Sequence, residues 1–177
     1  MNFFKTYYKQ IIRQDLINKF IFTNNKKIPK FKKITLNFSC KNLSIQKFAI
    51  TMLALEIISL KKGTLTVTKK PNVILKIQKG HPAGCKVELK NQEIYSFLTR
   101  LNLEIVPKLK NFHGFKMEKQ ISNFFFQIPS NKITLKEFED HYPLFSNLPA
   151  LDINIFTTTK NSKKLIFLAK SIKLPFY

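Results

Sequence analysis

The hydrophobic pattern of the chain changes its period after residue 20, and this change limits the possible folds more than any other feature. Up to that point apolar residues recur every three or four positions and form one helical stripe: Phe4, Tyr7, Tyr8, Ile11, Ile12, Leu16 and Phe20. After Pro29 the period is two, as in a half-buried strand, with Ile34, Leu36 and Phe38 alternating with Lys33, Thr35 and Asn37. The chain therefore combines helices with one-sided strands.

Later segments continue this mixture. Ser44 can cap a second helix that ends at residues 61–63, and its apolar stripe is Ile45, Phe48, Ala49, Met52, Leu53, Ile57 and Leu60. Further patterns predict strands at 65–68, 73–78, 85–89, 124–128 and 152–158, a helix over 93–106 ended by Pro107, and a last helix over 162–172. Short neighbouring strands with tight loops favour an antiparallel meander.

The fold class that we expect is α+β, with a mostly antiparallel sheet and helices packed on one face. The length of 177 residues fits a single domain over residues 1–177, and a hydrophobic content of 44% is enough to build its core.

The charge of the chain points to its partner. Lys and Arg number 31 against 10 Asp and Glu, which gives a formal net charge of +21 spread over every predicted element. A compact fold does not carry such a surplus without an anionic partner, and nucleic acid is the first candidate. The polar side of the strand at 33–38 is one surface that could meet RNA.

Several classes of protein do not fit the sequence. Cys40 and Cys85 are too few and too far apart for a zinc finger or a disulfide scaffold, so we expect two reduced thiols. The longest apolar stretch, residues 49–60, is interrupted by polar residues and falls short of a membrane span. The N-terminus resembles neither a signal peptide nor a transit peptide, so we expect the mature chain to begin at Met1.

Catalytic and metal sites are poorly supported. His81 and Cys85 could be a base and a nucleophile, but no third orienting group is evident and a strand could bury the thiol. The acidic residues Glu137, Glu139 and Asp140 precede His141 and could bind a metal, although surface salt bridges to nearby lysines are the more common role. We therefore expect that the protein is not an enzyme and that it binds no cofactor.

Two other features suit RNA but have ordinary alternatives. Residues 124–126 are three consecutive Phe that could stack on bases, yet such a triplet is more often core. Lys69, Lys70, Lys76 and Lys79 surround a strand pair and precede Gly80, where the backbone could approach a phosphate; a solvated hairpin explains them equally well.

Several segments, in order and at nearly the right spacing, resemble the ribosomal protein L-five family. In the first half these are Tyr8-Lys9, Ile28-Pro29-Lys30, Lys33-Ile34-Thr35-Leu36-Asn37 and Gly80-His81-Pro82-Ala83-Gly84-Cys85-Lys86-Val87-Glu88-Leu89. In the second half they are Tyr95-Ser96-Phe97-Leu98-Thr99-Arg100-Leu101, Val106-Pro107-Lys108, Asn111-Phe112-His113-Gly114-Phe115, Leu151-Asp152-Ile153-Asn154-Ile155-Phe156-Thr157-Thr158-Thr159 and Leu174-Pro175-Phe176. Together they cover most of the chain.

The resemblance implies a structural protein of the large ribosomal subunit, located in the central protuberance. Its implied partners are large-subunit rRNA, in bacteria the 5S rRNA, the elbow of the peptidyl-site tRNA, and neighbouring ribosomal proteins including one of the small-subunit head. The tRNA-proximal loop corresponds here to Lys69, Lys70, Asn72, Lys76 and Lys79, without the family's Ala-Arg-Lys-Ser run.

Two segments of the chain bear on the location of the protein. The Asp-Gly-Arg-Gly-Asn-Tyr segment is missing after Gly114, whereas residues 137–142 look like the Glu-Leu-Glu-Asp-His-Phe of plant mitochondrial members. With the abundance of Lys, Phe, Ile and Asn, which AT-rich coding produces, this points to an organelle-encoded mitochondrial protein on the mitoribosome.

On the family's 5S rRNA surface only one typical residue survives, as Asn37, and Glu88 stands where members have Thr. We therefore expect poor binding of a bacterial-type 5S rRNA, with a divergent 5S rRNA or a replacement partner held by Lys33, Asn37, Lys86 and Lys90. Alternatively, Glu88 forms a salt bridge with a neighbouring Lys and does not change RNA binding.

The competing functions are a free-standing RNA-binding module, such as an intron-splicing accessory, and an enzyme that uses His81 or His141.

Overall fold

Strand β1, Phe31–Ser39, lies in the interior of an antiparallel sheet in the computed structural model of the chain. The structure describes residues 3–39, 45–71, 78–109, 114–115, 118–119, 123–129, 135–159 and 161–174. The described strands follow the order β2-β3-β1-β6-β5-β4, where β2 is Thr64–Val67, β3 Pro82–Leu89, β4 Glu118–Lys119, β5 Asn123–Ile128 and β6 Leu151–Thr157. Every pairing is antiparallel.

The two-residue period of β1 separates the sheet into a core face and a polar face. Leu36 is fully buried and lies opposite Val87 of β3 and Ile153 of β6, which are also buried. The next residue, Asn37, points to the other side and lies opposite Lys86 and Asp152. Because side chains alternate along a strand, this register directs the apolar positions of three strands to one side.

The N-terminal helix closes one end of the core. It runs through α1, Phe3–Tyr7, a π-helical turn, Tyr8–Ile12, and α2, Arg13–Lys19, and a 3-10 turn, Asn25–Lys27, leads on to β1. Tyr8 packs against Phe31 and donates a hydrogen bond to the carbonyl of Pro29. Burial raises the pKa of Tyr8, so the phenol keeps the proton that it donates. The predicted helix is confirmed.

Helix α3, Ile45–Ser59, forms where the sequence predicts a helix, but only Phe48, Met52 and Ile57 of the predicted apolar stripe pack against the core. Its buried residues are Thr51, Ala54, Leu55, Ile58 and Ser59, and the helix packs on β1 and β3. Ala49, Leu53 and Leu60 of the predicted stripe are exposed instead. Apolar residues occupy every side of this helix, so periodicity could not select the side that meets the sheet.

The remaining helices are α4, Gln92–Arg100, α5, Lys136–Asp140, α6, Tyr142–Phe145, and α7, Ser162–Ser171. A π-helical turn, Leu101–Ile105, and a 3-10 turn, Val106–Lys108, continue α4, so this helical segment begins one residue before and ends two residues after the predicted helix over 93–106. The short helices α5 and α6 were not predicted. None of the described helices is long and apolar enough to cross a membrane.

The α+β class is confirmed, but a simple meander is not. Strands β4, β5 and β6 follow one another as a meander, whereas β1 inserts between β3 and β6. Residues 72–77, which include most of the strand predicted at 73–78, lie outside the described residues. The buried side chains form one continuous hydrophobic cluster that joins the sheet to the helices.

Gly84 lies where β3 approaches β1 too closely for a side chain. A Cβ atom added there would overlap the carbonyl oxygen of Phe38, a backbone atom that cannot move without disturbing the pairing. We expect Gly84→Ala to lower the free energy of unfolding by about 2–4 kcal/mol. Urea denaturation followed by circular dichroism measures the change.

Gly63→Ala is the matched control, because a Cβ atom at Gly63 has its nearest neighbour at 3.6 Å. Its free energy of unfolding should change by less than about 0.5 kcal/mol. Equal stability of the two variants would contradict the close approach of β3 to β1.

Candidate RNA-binding surface

The side of the sheet opposite the core carries mostly polar side chains, and we call it the polar face. Its residues alternate with those of the core side on five strands, which follows from the two-residue period and the observed register. They are Thr64 and Thr66 of β2, Lys86 and Glu88 of β3, Lys33, Thr35 and Asn37 of β1, Asp152, Asn154 and Phe156 of β6, and Asn123, Phe125 and Gln127 of β5.

Three of the four residues that the sequence suggests for rRNA binding lie together on the polar face. Asn37 is directly opposite Lys86 on the neighbouring strand, and Lys33 lies farther along β1. Lys90 follows the end of β3, is exposed, and donates its backbone N–H to Oε2 of Glu93 at 3.0 Å. The fold thus brings Lys33, Asn37 and Lys86 together from positions about fifty residues apart.

Glu88 lies between these lysines. One of its carboxylate oxygens accepts a hydrogen bond from Lys86 Nζ at 2.6 Å and one from Lys33 Nζ at 3.4 Å. The hydrogen bond from Lys86 is the largest cause of a lowered pKa for Glu88, and the charge of Lys86 and the contacts of Lys33 add to it. The salt-bridge alternative for Glu88 is therefore the arrangement observed. The three side chains together present one net positive charge instead of two.

Two aromatic rings interrupt the polar face. Phe124 and Phe126 are buried in the core, so the Phe triplet is divided and only Phe125 lies on the polar face. Phe156 of β6 lies there as well, with Lys33 Nζ 5.0 Å from the centre of its ring. A half-exposed ring beside a cation can stack on an unpaired base while the cation meets the phosphate.

Sequence reasoning missed Phe156 as a candidate, although the pattern held a signal. In the run from Leu151 to Thr157 the buried residues are Leu151, Ile153, Ile155 and Thr157, so Phe156 is an apolar residue at a polar position of the alternation. Such an exception on an exposed sheet face is typical of a binding residue.

Amide side chains order the far part of the polar face. Asn123 Nδ2 donates to Asn154 Oδ1 at 3.1 Å, and Gln127 Nε2 donates to Asp152 Oδ1 at 2.8 Å. These pairs join β5 to β6 and hold polar groups in fixed positions around the ring of Phe125. Fixed donors and acceptors beside an aromatic ring can read the edge of a stacked base.

The base of the lysine-rich loop between β2 and β3 is well ordered. Thr68 N–H donates to the carbonyl of His81 at 2.9 Å, and Gly80, with a φ of 85°, donates to the carbonyl of Thr68 at 3.0 Å. Lys69, Lys70 and Lys79 of this loop are exposed. Asn72 and Lys76, the other predicted tRNA-proximal residues, lie outside the described residues.

The geometry does not assemble a catalytic pair from His81 and Cys85. Cys85 is fully buried with Sγ 3.8 Å from Thr51 Oγ1 of α3, whereas His81 is exposed. A thiol in this position has no access to a substrate. Cys40 and His113 lie outside the described residues.

The acidic cluster serves as an ion-pair partner, as expected, although its partner is an arginine. Glu137 Oε1 accepts a hydrogen bond from Arg100 Nη2 at 3.0 Å, while Glu139, Asp140 and His141 are exposed. Among the described residues, no group of three or more His, Cys, Asp and Glu side chains is placed to hold a metal ion.

Comparisons with known proteins agree on one family. The family model for the C-terminus of the ribosomal protein L-five family matches residues 82–176. The large ribosomal subunit protein uL5m of Reclinomonas americana is 32% identical over 179 aligned residues, which cover 99% of this chain and 98% of that protein. The large ribosomal subunit protein uL5 of a Wolbachia strain from Culex pipiens is 34% identical, with 98% of each chain covered.

The Lys33, Lys86 and Glu88 group generates a prediction about RNA affinity. Glu88→Gln keeps the shape of the side chain but removes the negative charge that offsets one of the two lysines, so affinity for bacterial 5S rRNA should rise about threefold to tenfold. The lowered pKa keeps Glu88 ionised near neutrality, so the gain should be the same from about pH 6 to about pH 8. Filter binding or fluorescence anisotropy measures it.

Asp15→Asn is the matched control, since it removes one exposed negative charge on α2, away from the polar face. Its affinity for the same RNA should stay within about twofold of the parent protein. A loss of affinity in Glu88→Gln would mean that Glu88 positions the lysines for RNA instead of competing for them.

Proposed function

The chain belongs to the ribosomal protein L-five family, and from this premise we propose that its polar face holds ribosomal RNA in the central protuberance of the large subunit. Proteins of this family are structural components of the ribosome and not enzymes. The chain is accordingly a ribosomal protein of the large subunit.

The observation that carries the proposal is the combination of lysines and aromatic rings on one side of a sheet whose other side is core. Lys33 supports this best, because its Nζ lies near both the ring of Phe156 and the carboxylate of Glu88. Lysines supply phosphate contacts that position the RNA, and Phe125 and Phe156 supply flat surfaces for unpaired bases. A sheet face with stacked bases and flanking lysines is an established way of binding single-stranded RNA loops.

The RNA on this face differs, in our proposal, from a bacterial 5S rRNA. The Glu88 carboxylate can accept but not donate hydrogen bonds, and it engages two lysines that would otherwise meet phosphates. A divergent 5S rRNA or a replacement partner would fit this reduced positive charge. Lys33, Asn37 and Lys86 form the centre of the contact and Lys90 its margin.

We propose further partners for the lysine-rich loop and for the outer surface of the protein. Lys69, Lys70 and Lys79 project from an ordered hairpin base and suit the phosphates of a peptidyl-site tRNA. By analogy with the family we also propose a contact with a protein of the small-subunit head.

The mitochondrial ribosome is the location that we propose. The similarity to the mitochondrial protein of Reclinomonas americana supports it, as does the richness in Lys, Phe, Ile and Asn that suggests an organelle gene. We infer that residues 1–177 form one domain, because the buried side chains make one continuous cluster. Gradient fractionation tests the location: the protein should sediment with mitochondrial large subunits, and a peak away from them would favour a splicing accessory.

Two variants of the polar face should separate the electrostatic and the stacking contributions to RNA affinity. Lys33→Ala removes a phosphate contact to single-stranded RNA, so the slope of log affinity against log salt should decrease in magnitude by about 0.7. Phe156→Leu removes a stacking surface, so affinity should fall by about 1–3 kcal/mol while the slope stays unchanged. Titrations of a large-subunit rRNA fragment at several salt concentrations measure both.

Lys163→Ala is a control for Lys33→Ala, because Lys163 is exposed near the start of α7 and lies off the polar face. If Lys163→Ala and Lys33→Ala reduced the slope equally, the RNA would be held by the general charge of the protein and not by the polar face.

The loop lysines should affect tRNA and not assembly. Replacing Lys69, Lys70 and Lys79 together by Ala should weaken retention of peptidyl-site tRNA on ribosomes by about threefold to tenfold, since exposed loop lysines make few core contacts. Lys9, Lys26 and Lys170, also exposed, give a control triple variant with the same change of charge. Equal retention by both variants and the parent would remove the loop from the tRNA contact.

A further inference from the structure

A groove with an apolar floor lies on the helical side of the molecule, among the start of α1, the end of α3, the π-helical turn after α4, and α5. Three large apolar side chains at its surface are highly exposed: Phe3 by 70%, Leu60 by 77% and Leu103 by 70%. They line two adjoining cavities of about 600 and 300 Å³ that share Phe3, Thr99 and Leu103. We call this feature the α1–α4 groove.

The clustering of these side chains is what needs an explanation. Single exposed apolar residues are common on protein surfaces, but a contiguous group beside a cavity marks an interaction site. Leu60 is also held at a φ of 54°, a backbone region that a branched apolar residue rarely adopts. An Asn or Gly there would be less strained, so the Leu side chain contributes something other than local stability.

The charge at the wall of the larger cavity is opposite in sign to that of the whole chain. Arg100 donates from Nε to Glu104 at 2.9 Å and from Nη2 to Glu137 at 3.0 Å. The side chain of Arg100 is only 11% exposed, whereas the side chains of Glu104 and Glu137 are 55% and 51% exposed. Two outward carboxylates over one covered guanidinium therefore present negative charge to the groove.

Arg100 also connects the two carboxylates to the end of α3. Its Nη1 donates to the carbonyl of Ile57 at 2.5 Å, near the C-terminal end of α3. The chain has only two arginines among its 31 basic residues. A lysine could not reach two carboxylates and a helix end at once, because only the guanidinium offers donors in a planar fork.

The smaller cavity is lined by a cation instead of carboxylates. Lys173 lines it, with Nζ 5.7 Å from the centre of the Tyr7 ring. A cationic partner would therefore place its charges at the Glu104 and Glu137 end of the groove and its apolar side chains over Phe3 and Leu103.

We propose that the α1–α4 groove binds a basic segment of another protein, with apolar side chains seated between Phe3, Leu60 and Leu103 and Lys or Arg side chains paired with Glu104 and Glu137. RNA does not fit, because its phosphates would face exposed carboxylates. The groove also lies on the helical side, so the polar face stays available to RNA while the segment is bound.

Fluorescence anisotropy with defined peptides tests the proposal on the full chain. The probe is a labelled 14-residue peptide of Lys, Ala and three Leu, with the leucines one helical turn apart; the comparison peptide has Ala in place of each Leu. At near-physiological salt we expect the Leu peptide to bind the protein at least about tenfold more tightly than the Ala peptide. Equal affinities would overturn the proposal.

Paired variants locate the binding. Leu60→Asn with Leu103→Asn should weaken binding of the Leu peptide about tenfold, whereas Ile21→Asn, at a side chain that is 97% exposed elsewhere, should change it less than about twofold. Glu104→Gln should weaken it about threefold and Asp15→Asn not at all. An equal effect of groove and control variants would show that the peptide binds elsewhere and would overturn the proposal.

Two further measurements distinguish other occupants. If sedimentation showed the parent protein to be a dimer that Leu103→Asn dissociates, the groove would belong to a second copy and the proposal would be wrong. The affinity of the double Leu variant for rRNA should equal that of the parent. A parallel loss of RNA affinity would assign the groove to RNA and overturn the proposal, while a failure of RNA binding to the polar face would leave the peptide result unaffected.

Discussion

The pairing of β1 with two strands distant in sequence is the constraint on which the other features of this structure depend. Phe31–Ser39 pairs with β3, about fifty residues away, and with β6, about 120 residues away. Each pairing fixes a register, and the register decides which side chains enter the core. A slip by one residue would bury Lys33 and Asn37 and expose Ile34 and Leu36. The core and the polar face are therefore two consequences of the same hydrogen-bonded pairing.

The local charge differs between the two sides of the molecule. On the polar face Glu88 moderates two lysines, and because the three groups are about one-third exposed, their ion pairs contribute little to stability. Their main effect is on the electrostatic potential of the polar face. On the helical side one covered arginine holds two exposed carboxylates and gives a local negative potential within a strongly basic chain. The net charge of the chain predicts a basic surface such as the polar face, but it gives no indication of the negative charge at Glu104 and Glu137.

The sequence was most informative where one side of an element is polar. The alternation in β1 and β6 predicted both strands to within two residues at either end, and the resemblance to the family placed Lys33, Asn37 and Lys86 on one surface. It failed for α3, whose apolar residues surround the helix, so that only contact with the sheet determines that Ala54 and Leu55 are buried. The insertion of β1 between β3 and β6 depends on long-range pairing, which local patterns do not contain. Periodicity alone does not identify Phe156 as a binding residue, because an apolar residue in a strand is as common in the core as on a binding surface.

The exposed apolar side chains on the two sides of the molecule have neighbours of opposite charge. Phe156 and Leu103 are both apolar side chains that reach the surface, but Phe156 lies beside a lysine and Leu103 beside a carboxylate. An aromatic ring next to a cation attracts a base joined to a phosphate, whereas an aliphatic side chain next to an anion attracts an apolar residue joined to a cation. The core between them is packed, and the two surfaces share no described residue. We therefore expect the two surfaces to bind their proposed partners with little effect on each other at ionic strengths that screen charge over about 10 Å.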